Sequence, residues 1–535
     1  MKKYELPIDT GKSLFRVVPA PPIAPGVSAL EQLLVEGGDA RIALDPHIGL
    51  NRYGCQATPD TGLMAFGSST ASVISPAGFA AAAHVRQRLL NAAGVEPPAV
   101  TYERELNRIR LALLRLCALA DLPDLDVIFG ASGTDLHAIA SQLAGGTASL
   151  PARVIMAEAA ETGSGVSAAL AGRAPGPRVA QEETAPEIHD CSVREITPVA
   201  LRLDDGTPRE MAAVDAEVES LVRDAVALGR RVLLILVDHS KTGMIAPSLA
   251  CVAALHRRWP ETVEVLVDAC QFRIAPSTLR AYLEQGFMVA LTGSKFLTGP
   301  TFSGALLIPA PVARRLRGAA LPRALRAYSA RAEWPACWAA RDMLDNASNF
   351  GLLLRWEAAL EELRAFHAVP EAAVAAFLSL FAQAVLSHLR NDPSFELLPV
   401  PPLDRRPLVE ATSWDHIQTV FPFLLYRPAS HGGKVPLSRE ETVQVYRLLQ
   451  GGLAGQVGSR AHLAPLRFQL GQPVACGSRD GVPVSALRLC ASARLIVEAT
   501  AQAGRNAAAV IERALAALDK TALLARTVRP TSHAA

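Results

Sequence analysis

The segment that decides the fold covers residues 262–309 and reads TVEVLVDACQFRIAPSTLRAYLEQGFMVALTGSKFLTGPTFSGALLIP. Two apolar runs, 263–267 and 288–291, are separated by a helical segment, a pattern that predicts a parallel βαβ unit. The first run ends at Asp268, and the second is followed by TGSK, whose last residue is Lys295. Open α/β sheets bind their ligands at the carboxyl ends of their strands. Asp268 and Lys295 are therefore expected to face one ligand site.

This pair of residue types has the chemistry of a pyridoxal phosphate (PLP) site. Desolvation at a buried strand end favours the neutral amine of a lysine, which is the form that condenses with a carbonyl. An aspartate at the neighbouring strand end is suited to a protonated pyridine nitrogen. On this interpretation Lys295 holds the cofactor as a Schiff base and moves the Cα proton. Asp268 strengthens the ring as an electron sink.

The order of the motifs resembles the fold-type I PLP-dependent enzymes, and more narrowly their class V aminotransferase and cysteine desulfurase branch. In VDACQ, Gln271 follows Asp268 at the family's spacing, and in TGSK, Thr292 precedes Lys295 by three positions. The resemblance implies that Gln271 contacts the ring phenolate oxygen and that Thr292 and Ser294 contact the phosphate. It also implies a homodimer, in which the following GPTFSG loop reaches the phosphate of the neighbouring subunit.

A second candidate phosphate-binding element follows the apolar run 126–129, where the chain reads GASGTDLHAIASQL. The free N–H groups and the dipole at the start of a helix attract an anion. SGTD resembles the phosphate turn of the family, which implies contacts from Gly133, Thr134 and Asp135. Taken alone, such a serine or threonine is an ordinary helix cap, and its position one strand–helix unit into the domain favours the phosphate interpretation.

The apolar run 232–237 ends in DHSKTGMIAP, which resembles the HxETSTGxxxP segment of class V enzymes. The resemblance implies that Ser240 and Lys241 approach the cofactor or the substrate. His239 and Lys241 are equally compatible with a solvated loop. Lys241 is the second candidate for the Schiff-base lysine among the seven lysines of the chain. It precedes Asp268, however, which is the wrong order for this family.

Two features of the sequence depart from the resemblance. Family members carry an aromatic residue or histidine after the strand predicted at 153–157, whereas this chain reads EAAETGSG there, so the ring-stacking residue stays unassigned. In FQLGQPV, Leu470 occupies the position of the nucleophilic cysteine of the desulfurases. Leucine cannot accept a sulfur atom, and Cys476 could replace it only along a different loop path. Sulfur transfer through the usual cysteine is therefore not expected.

Arg488, in VSALRLCAS, is the candidate for binding the substrate carboxylate. It aligns with the arginine of the family's late VRxS-like strand. A guanidinium group matches both oxygens of a carboxylate, which is why arginine is used where bidentate geometry matters.

The whole chain alternates apolar strands with helices, which predicts the α/β class. We expect a large domain with a mostly parallel sheet flanked by helices, and a smaller α+β C-terminal domain. The predicted divisions are an N-terminal arm over 1–60, a large PLP-binding domain over 61–320, and a crossover helix with the small domain over 321–535. Strands of the large domain are predicted at 126–129, 153–157, 192–196, 232–237, 263–267, 288–291 and 305–308, and those of the small domain near 395–398, 416–425, 466–470 and 485–490.

Composition narrows the class of protein. The chain has 535 residues, of which 50% are hydrophobic, so it can bury a large core. A net charge of +2 gives no reason to expect nucleic acid or an anionic membrane as a partner. The eight cysteines show neither CxxC pairs nor zinc spacing, which predicts reduced thiols and no metal. With no apolar signal region after the N-terminal lysines, a cytoplasmic enzyme is expected.

These observations predict a PLP-dependent enzyme that acts on an amino acid or an amine. Class V-like amino-group transfer is the first choice, because the carbanion machinery is present and the sulfur relay is not. A PLP-dependent lyase, including β-elimination or a desulfurase-like reaction, is the alternative. A non-catalytic protein with the PLP-enzyme fold that serves a partner is a third possibility, supported only by the missing stacking aromatic.

Overall fold

A computed structural model describes residues 29–145, 152–172, 194–320, 322, 325–326, 329–409, 413–429, 432–452 and 461–528. Residues 1–28 of the predicted N-terminal arm lie outside these ranges, as do residues 192 and 193 of the third predicted strand. The strands are β1 Leu63–Phe66, β2 Asp126–Gly130, β3 Arg153–Ala157, β4 Glu195–Val199, β5 Val232–Asp238, β6 Ile245–Ala246, β7 Val263–Ala269, β8 Met288–Thr292, β9 Gly304–Ile308, β10 Phe395–Leu397, β11 Val420–Pro428, β12 Lys434–Pro436, β13 Arg467–Arg479 and β14 Val482–Cys490.

The α-helices of the described residues alternate with these strands in the first part of the chain and cluster in the second. They are α1 Leu30–Leu34, α2 Pro76–Ala92, α3 Pro98–Leu116, α4 Gly133–Leu143, α5 Val166–Leu170, α6 Met211–Ala227, α7 Leu249–Arg258, α8 Pro276–Glu284, α9 Ala310–Leu316, α10 Phe350–His367, α11 Glu371–Asn391, α12 Arg439–Leu449, α13 Ala493–Thr500 and α14 Ala507–Thr527.

The larger sheet has the strand order β2-β9-β8-β7-β5-β3-β4, with β6 paired to β5. The pairs from β8 to β4 are parallel, and β9 runs antiparallel to both of its neighbours. Every residue of β5, β7 and β8 is buried, as expected for strands covered by helices on both faces. The predicted α/β fold with a mostly parallel sheet is therefore confirmed.

The alignment of the strands in this sheet places the predicted site residues side by side. Asp268 near the end of β7 pairs with Val237 in β5 on one side and with Ala290 in β8 on the other. Asp238 and His239 therefore leave the sheet next to Asp268, and Lys295 follows β8 on the opposite side. This edge, where three adjacent parallel strands end, is the place at which an α/β sheet binds a ligand.

The second sheet has the order β1-β13-β14-β11-β10, with β12 paired to β11. Its strands pair antiparallel, as predicted for the C-terminal region, except that β1 lies parallel to β13. β1 falls just inside the segment predicted as the large domain, yet it pairs with residues about 400 positions later. The domain limits themselves remain predictions.

The hydrogen-bond register between β13 and β14 shifts between Gly471 and Val474. An irregularity of this kind redirects the residues that it contains. Gln472 and Pro473, which lie in it, line the cavity described below.

Helices of the C-terminal half enclose the core. α10, the predicted crossover helix, is buried along most of its length and packs against α2 and α3. Among the described residues α11 alone is long and apolar enough to cross a membrane by length and composition. Its apolar face, which includes Val374, Phe377 and Phe381, is buried, and the helix packs against α13 and α14. A helix buried in a protein core meets the same criterion of length and composition.

Candidate active site

A cavity of about 540 Å³ lies at the carboxyl ends of β5, β7 and β8. Its volume is within the roughly 300–1,000 Å³ that is typical of ligand pockets. Side chains from both sheets, from the start of α4 and from the loop before β1 line it. Of the residues predicted for the site, all except Asp135 line this cavity: Gly133, Thr134, Ser240, Asp268, Gln271, Thr292, Ser294, Lys295 and Arg488.

Asp268 forms the centre of the cavity wall together with His137, which the sequence reasoning missed. His137 Nε2 lies 3.4 Å from Asp268 Oδ2, and His137 Nδ1 contacts the carbonyl of Gly133 at 2.7 Å. Burial alone would raise the pKa of Asp268, but His137 and Lys295 hold it well below its usual range. Burial opposes the charge of His137, but Asp268 raises the pKa of that imidazole. The carboxylate is therefore held ionised.

A signal for His137 is present in the sequence. It lies four residues after Gly133 on the predicted helix, and residues at this spacing share a face. The helix face that presents Gly133 to the ligand therefore also presents His137 to the strand end that carries Asp268.

Thr292 ends β8, and Ser294 and Lys295 follow this strand. Thr292 Oγ1 donates a hydrogen bond to the carbonyl of Cys270 at 2.6 Å, which fixes its rotamer and leaves its lone pairs to accept. Ser294 is buried, and both it and Lys295 line the cavity. The structure thus brings Lys295, Thr292 and Asp268 to one cavity, as the sequence motifs predict.

The start of α4 is a capped helix N-terminus that faces the cavity. Ser132 Oγ accepts from the Asp135 N–H, and the Asp135 carboxylate accepts from the Ser132 N–H and hydroxyl at 2.7 Å each. Asp135 therefore completes a capping box and does not line the cavity. The Asp135 side chain is thus used by the helix cap, and its expected contact with the cofactor stays a prediction.

Gly133 and Thr134 do face the cavity. A Cβ atom on Gly133 would lie 2.9 Å from Cys270 Sγ, so glycine permits the close approach of helix and strand at this point. Thr134 Oγ1 lies 3.4 Å from both terminal nitrogens of Arg41, whose guanidinium group is paired with Asp39. Arg41 belongs to the segment predicted as the N-terminal arm, so part of that segment lies beside the cavity.

Gln271 is held at the cavity by two contacts. Its Nε2 donates to the carbonyl of Ser69 at 3.0 Å, and its Oε1 accepts from Arg273 Nε at 3.4 Å. A carboxamide has two N–H groups. One of them remains for a ligand.

The loop after β5 is anchored by Glu161, which lies in the EAAETGSG segment. Ser240 Oγ donates to Glu161 Oε2 at 2.6 Å, and Arg202 Nε donates to Glu161 Oε1 at 2.8 Å. Ser240 also accepts from the N–H of Met244 at 3.1 Å, so its hydroxyl holds the loop. Residues 159–164 line the cavity without an aromatic ring among them, which leaves the stacking position unassigned.

His239 is buried, with 3% of its surface exposed, so the solvated-loop interpretation is wrong for this residue. Its Nδ1 lies 3.2 Å from Asp238 Oδ1, and Asp238 is bound by Arg405 at 2.7 and 2.8 Å. Burial lowers the pKa of His239, so the ring is neutral. Because its Nδ1 donates to Asp238, its Nε2 carries a lone pair, and this atom has no partner among the described residues.

Lys241 and Arg488 form the cationic side of the cavity. Lys241 Nζ donates to the carbonyl of Ala159 at 3.1 Å, and Arg488 Nη1 donates to the carbonyl of Lys241 at 3.1 Å. Arg488 Nη2 donates to Thr70 Oγ1 at 3.1 Å, whereas Arg488 Nε has no partner within the part of the chain that the structure describes. Burial, Arg488 and Lys295 lower the pKa of Lys241 to about 8.

Neither Leu470 nor Cys476 lines the cavity. Leu470 is buried in β13, where it pairs with Phe66. Cys476 lies in a separate apolar cluster with Tyr426 and Val484, and burial raises the pKa of its thiol. Cys476 is therefore excluded as a displaced nucleophile in this conformation.

Comparison with known proteins gives structural likeness only. Neither a protein-family profile nor a curated protein matches the sequence. The structure is similar to that of the cystine C–S lyase C-DES in complex with its product cysteine persulfide, with a TM-score of 0.50, 16% identity, and coverage of 85% of this chain and 98% of that chain. A NifS-like protein gives a TM-score of 0.50, 11% identity, and coverage of 85% and 99%.

The match to a glutamate decarboxylase domain from Vibrio parahaemolyticus covers 87% of this chain and 80% of that chain, with 13% identity and a TM-score of 0.48. At these identities the likeness to C-DES and to the NifS-like protein shows the fold and no more. The match extends over nearly the full length of those two chains. The chain therefore has the fold of the fold-type I PLP enzymes, as the order of its sequence motifs predicts.

Proposed function

We propose that this protein is a PLP-dependent enzyme that acts at the Cα atom of an amino acid and transfers its amino group. The observation that carries the proposal is the contact between Asp268 and His137 in a cavity that also holds Lys295. A buried carboxylate kept ionised by a histidine, opposite a lysine at the neighbouring strand end, is suited to the two ends of a pyridine aldehyde.

The residues of the cavity fit this cofactor. Gly133 opens the start of α4 to an anion, and Thr134, Thr292 and Ser294 offer hydroxyl groups there. Gln271 retains one N–H for the ring oxygen. Buried polar atoms generally have partners, so a polar ligand is expected to contact His239 Nε2, which has none among the described residues.

The roles of the side chains follow from these positions. PLP, when bound, supplies an electron sink for the pair left at Cα. Lys295 Nζ is the point of covalent attachment and then holds and returns the Cα proton. Asp268 keeps a proton on the ring nitrogen, since its own carboxylate stays ionised beside His137. Arg488 orients the substrate through its carboxylate.

Amino-group transfer is preferred over sulfur chemistry because the chain offers no thiol for a sulfur relay at the expected position. Leu470 occupies it, and Cys476 lies in an apolar cluster. A lyase reaction is the second candidate, since elimination from Cα and Cβ uses the same lysine and needs no such thiol. The C–S lyase that resembles this fold is consistent with that candidate.

A keto-acid acceptor distinguishes the two reactions. We expect the PLP-loaded protein to consume amino acid continuously only when a 2-oxo acid is supplied, because transfer leaves the amino group on the cofactor. Without an acceptor, consumption stops after one equivalent. Continued release of ammonia and a 2-oxo acid without an acceptor would instead establish elimination. Lys295→Ala is the control for background reaction with free PLP.

We also infer a homodimer in the cytoplasm. Thr301 and Phe302 of the GPTFSG loop line the cavity, so a neighbouring subunit docked on that loop would contact the site directly. Light scattering of the PLP-loaded protein measures the oligomeric state. A fully active monomer would contradict the inferred dimer.

A further inference from the structure

We infer that the substrate carries a second acidic group on its side chain, a carboxylate or a similar anion, and that Lys241 binds it. This inference rests on the proposed function and deepens it by naming the substrate class. It makes Lys241 a residue that determines specificity, next to the arginine that binds the α-carboxylate.

The side chains that line the cavity include more cations than carboxylates. Of the lining residues that the structure describes, Arg41 is paired with Asp39, Glu161 with Arg202, and Asp268 with His137. The cations that remain have no carboxylate within 4.0 Å in the described ranges; they are Lys241, Lys295 and Arg488. The proposed function uses Lys295 for the cofactor and Arg488 for the α-carboxylate. Lys241 is left without a carboxylate within salt-bridge distance in the described ranges, although Glu161 lies near enough to act on its charge.

Lys241 lies away from the hydroxyl groups that are expected to hold the cofactor phosphate. Thr292 ends β8 and Ser294 follows it, whereas Lys241 follows β5, and β7 with Asp268 lies between these two strands. Lys241 lies beside Arg488, the residue proposed to bind the α-carboxylate of the substrate, since both line the cavity and Arg488 contacts the backbone of Lys241.

Lys241 and Arg488 are held next to each other. The guanidinium group of Arg488 donates a hydrogen bond to the backbone carbonyl of Lys241, which fixes the two residues side by side at the cavity. Lys241 Nζ has three N–H bonds, and its hydrogen bond to the carbonyl of Ala159 uses one of them. One small ligand with two anionic groups can therefore reach both cations.

The surroundings of Lys241 favour an anionic ligand. Burial is the largest cause that lowers the pKa of Lys241 to about 8; Arg488 and Lys295 lower it further, and Glu161 acts in the opposite direction. An anion beside Lys241 stabilises the charged form of its side chain. A neutral amino acid provides one carboxylate, and an acidic amino acid provides two.

The test measures dissociation constants of amino acids for the PLP-loaded protein from the change in cofactor absorbance, without a 2-oxo acid. The probes are L-aspartate and L-glutamate against their neutral amides, L-asparagine and L-glutamine. We expect the acids to bind at least roughly tenfold more tightly, the effect of one charge-assisted hydrogen bond. Lys241→Gln should remove this preference, and Lys241→Arg should retain it.

Lys434→Gln is the matched control, because it removes the charge of an exposed lysine in β12 outside the cavity. Equal affinity for acids and amides, or a preference that survives Lys241→Gln, would overturn the inference. Loss of PLP affinity in Lys241→Gln would also overturn it, because Lys241 would then hold the cofactor. If the wild type takes up no PLP at all, the proposed function fails and the inference fails with it. If the protein takes up PLP but binds the acids and their amides equally tightly, only the inference is refuted and the proposed function stands.

Discussion

His137 Nε2 lies 3.4 Å from Asp268 Oδ2, and both side chains are buried. The carboxylate and the imidazole stabilise each other's charge, so the pKa of Asp268 is lowered and that of His137 is raised. Asp268 therefore remains ionised in the folded protein near neutral pH. The proposed chemistry depends on that state, because only an ionised carboxylate keeps a pyridine nitrogen protonated.

The first prediction concerns this pair. Asp268→Asn removes the charge that raises the pKa of His137. Burial and Lys295 then lower this pKa against the carbonyl of Gly133 alone, so it should fall below the ordinary value of about 6.5. NMR of protein with labelled histidine side chains measures it. His256, whose Nδ1 contacts the carbonyl of Val263, serves as the internal control. A His137 resonance that titrates as in the wild type would contradict the coupling.

The second prediction concerns Arg405 and Asp238. Arg405→Met leaves Asp238 buried without its cation, which is expected to lower the free energy of unfolding by about 3–5 kcal/mol at neutral pH. Burial opposes ionisation of Asp238, but Arg405 and His239 hold its pKa well below its usual range. The stabilisation is therefore full above the ordinary aspartate pKa and is lost as the pH falls through the lowered one.

Denaturant unfolding at several pH values measures this effect. The double variant Asp238→Asn with Arg405→Met should recover part of the loss, because no unpaired charge is then buried. Equal stability of wild type and Arg405→Met at neutral pH would show that the ion pair contributes nothing.

The third prediction concerns the close approach of α4 to β7. Gly133→Ala places a methyl group 2.9 Å from Cys270 Sγ, and overpacking of this kind costs about 1–3 kcal/mol. We expect a lower melting temperature and weaker PLP binding. Adding Cys270→Ala removes the sulfur and should restore most of both. If the single variant is as stable as the wild type, the helix and the strand are not in contact there.

The fourth prediction is a pH dependence of substrate preference. Burial, Arg488 and Lys295 lower the pKa of Lys241 to about 8, while Glu161 acts in the opposite direction. The side chain is a cation below that pH and neutral above it. The preference for L-aspartate over L-asparagine should therefore decline as the pH rises through about 8, as the ratio of their dissociation constants measures. A preference that stays constant through this range would show that Lys241 does not supply it.

Much of the fold could be predicted because buried parallel strands read as continuous apolar runs. The run 232–237 and the strand Val232–Asp238 differ by one residue, for example. β1 could not be predicted in this way. Its four residues, LMAF, carry no alternation, and the strand forms by pairing with Arg467–Leu470, far along the chain. Pairing at such separation leaves no local signal.

The residues of the site also differ in whether the sequence could predict them. Asp268, Lys295 and Thr292 could be found because each lies at a fixed distance from a strand end. Glu161 could not, since its role is to accept hydrogen bonds from Ser240 and Arg202, which other segments supply. The sequence around Asp135 does not distinguish a capping box from a phosphate turn, because the two share residue types and only geometry separates them.

The attachment of PLP to Lys295 is the central claim, and absorbance spectroscopy tests it most directly. Wild type and Lys241→Ala, each mixed with PLP and freed of excess by gel filtration, should show the visible band of lysine-bound cofactor at about one equivalent per chain. Lys295→Ala should show none. A persistent band in Lys295→Ala, or its loss in Lys241→Ala alone, would contradict the account.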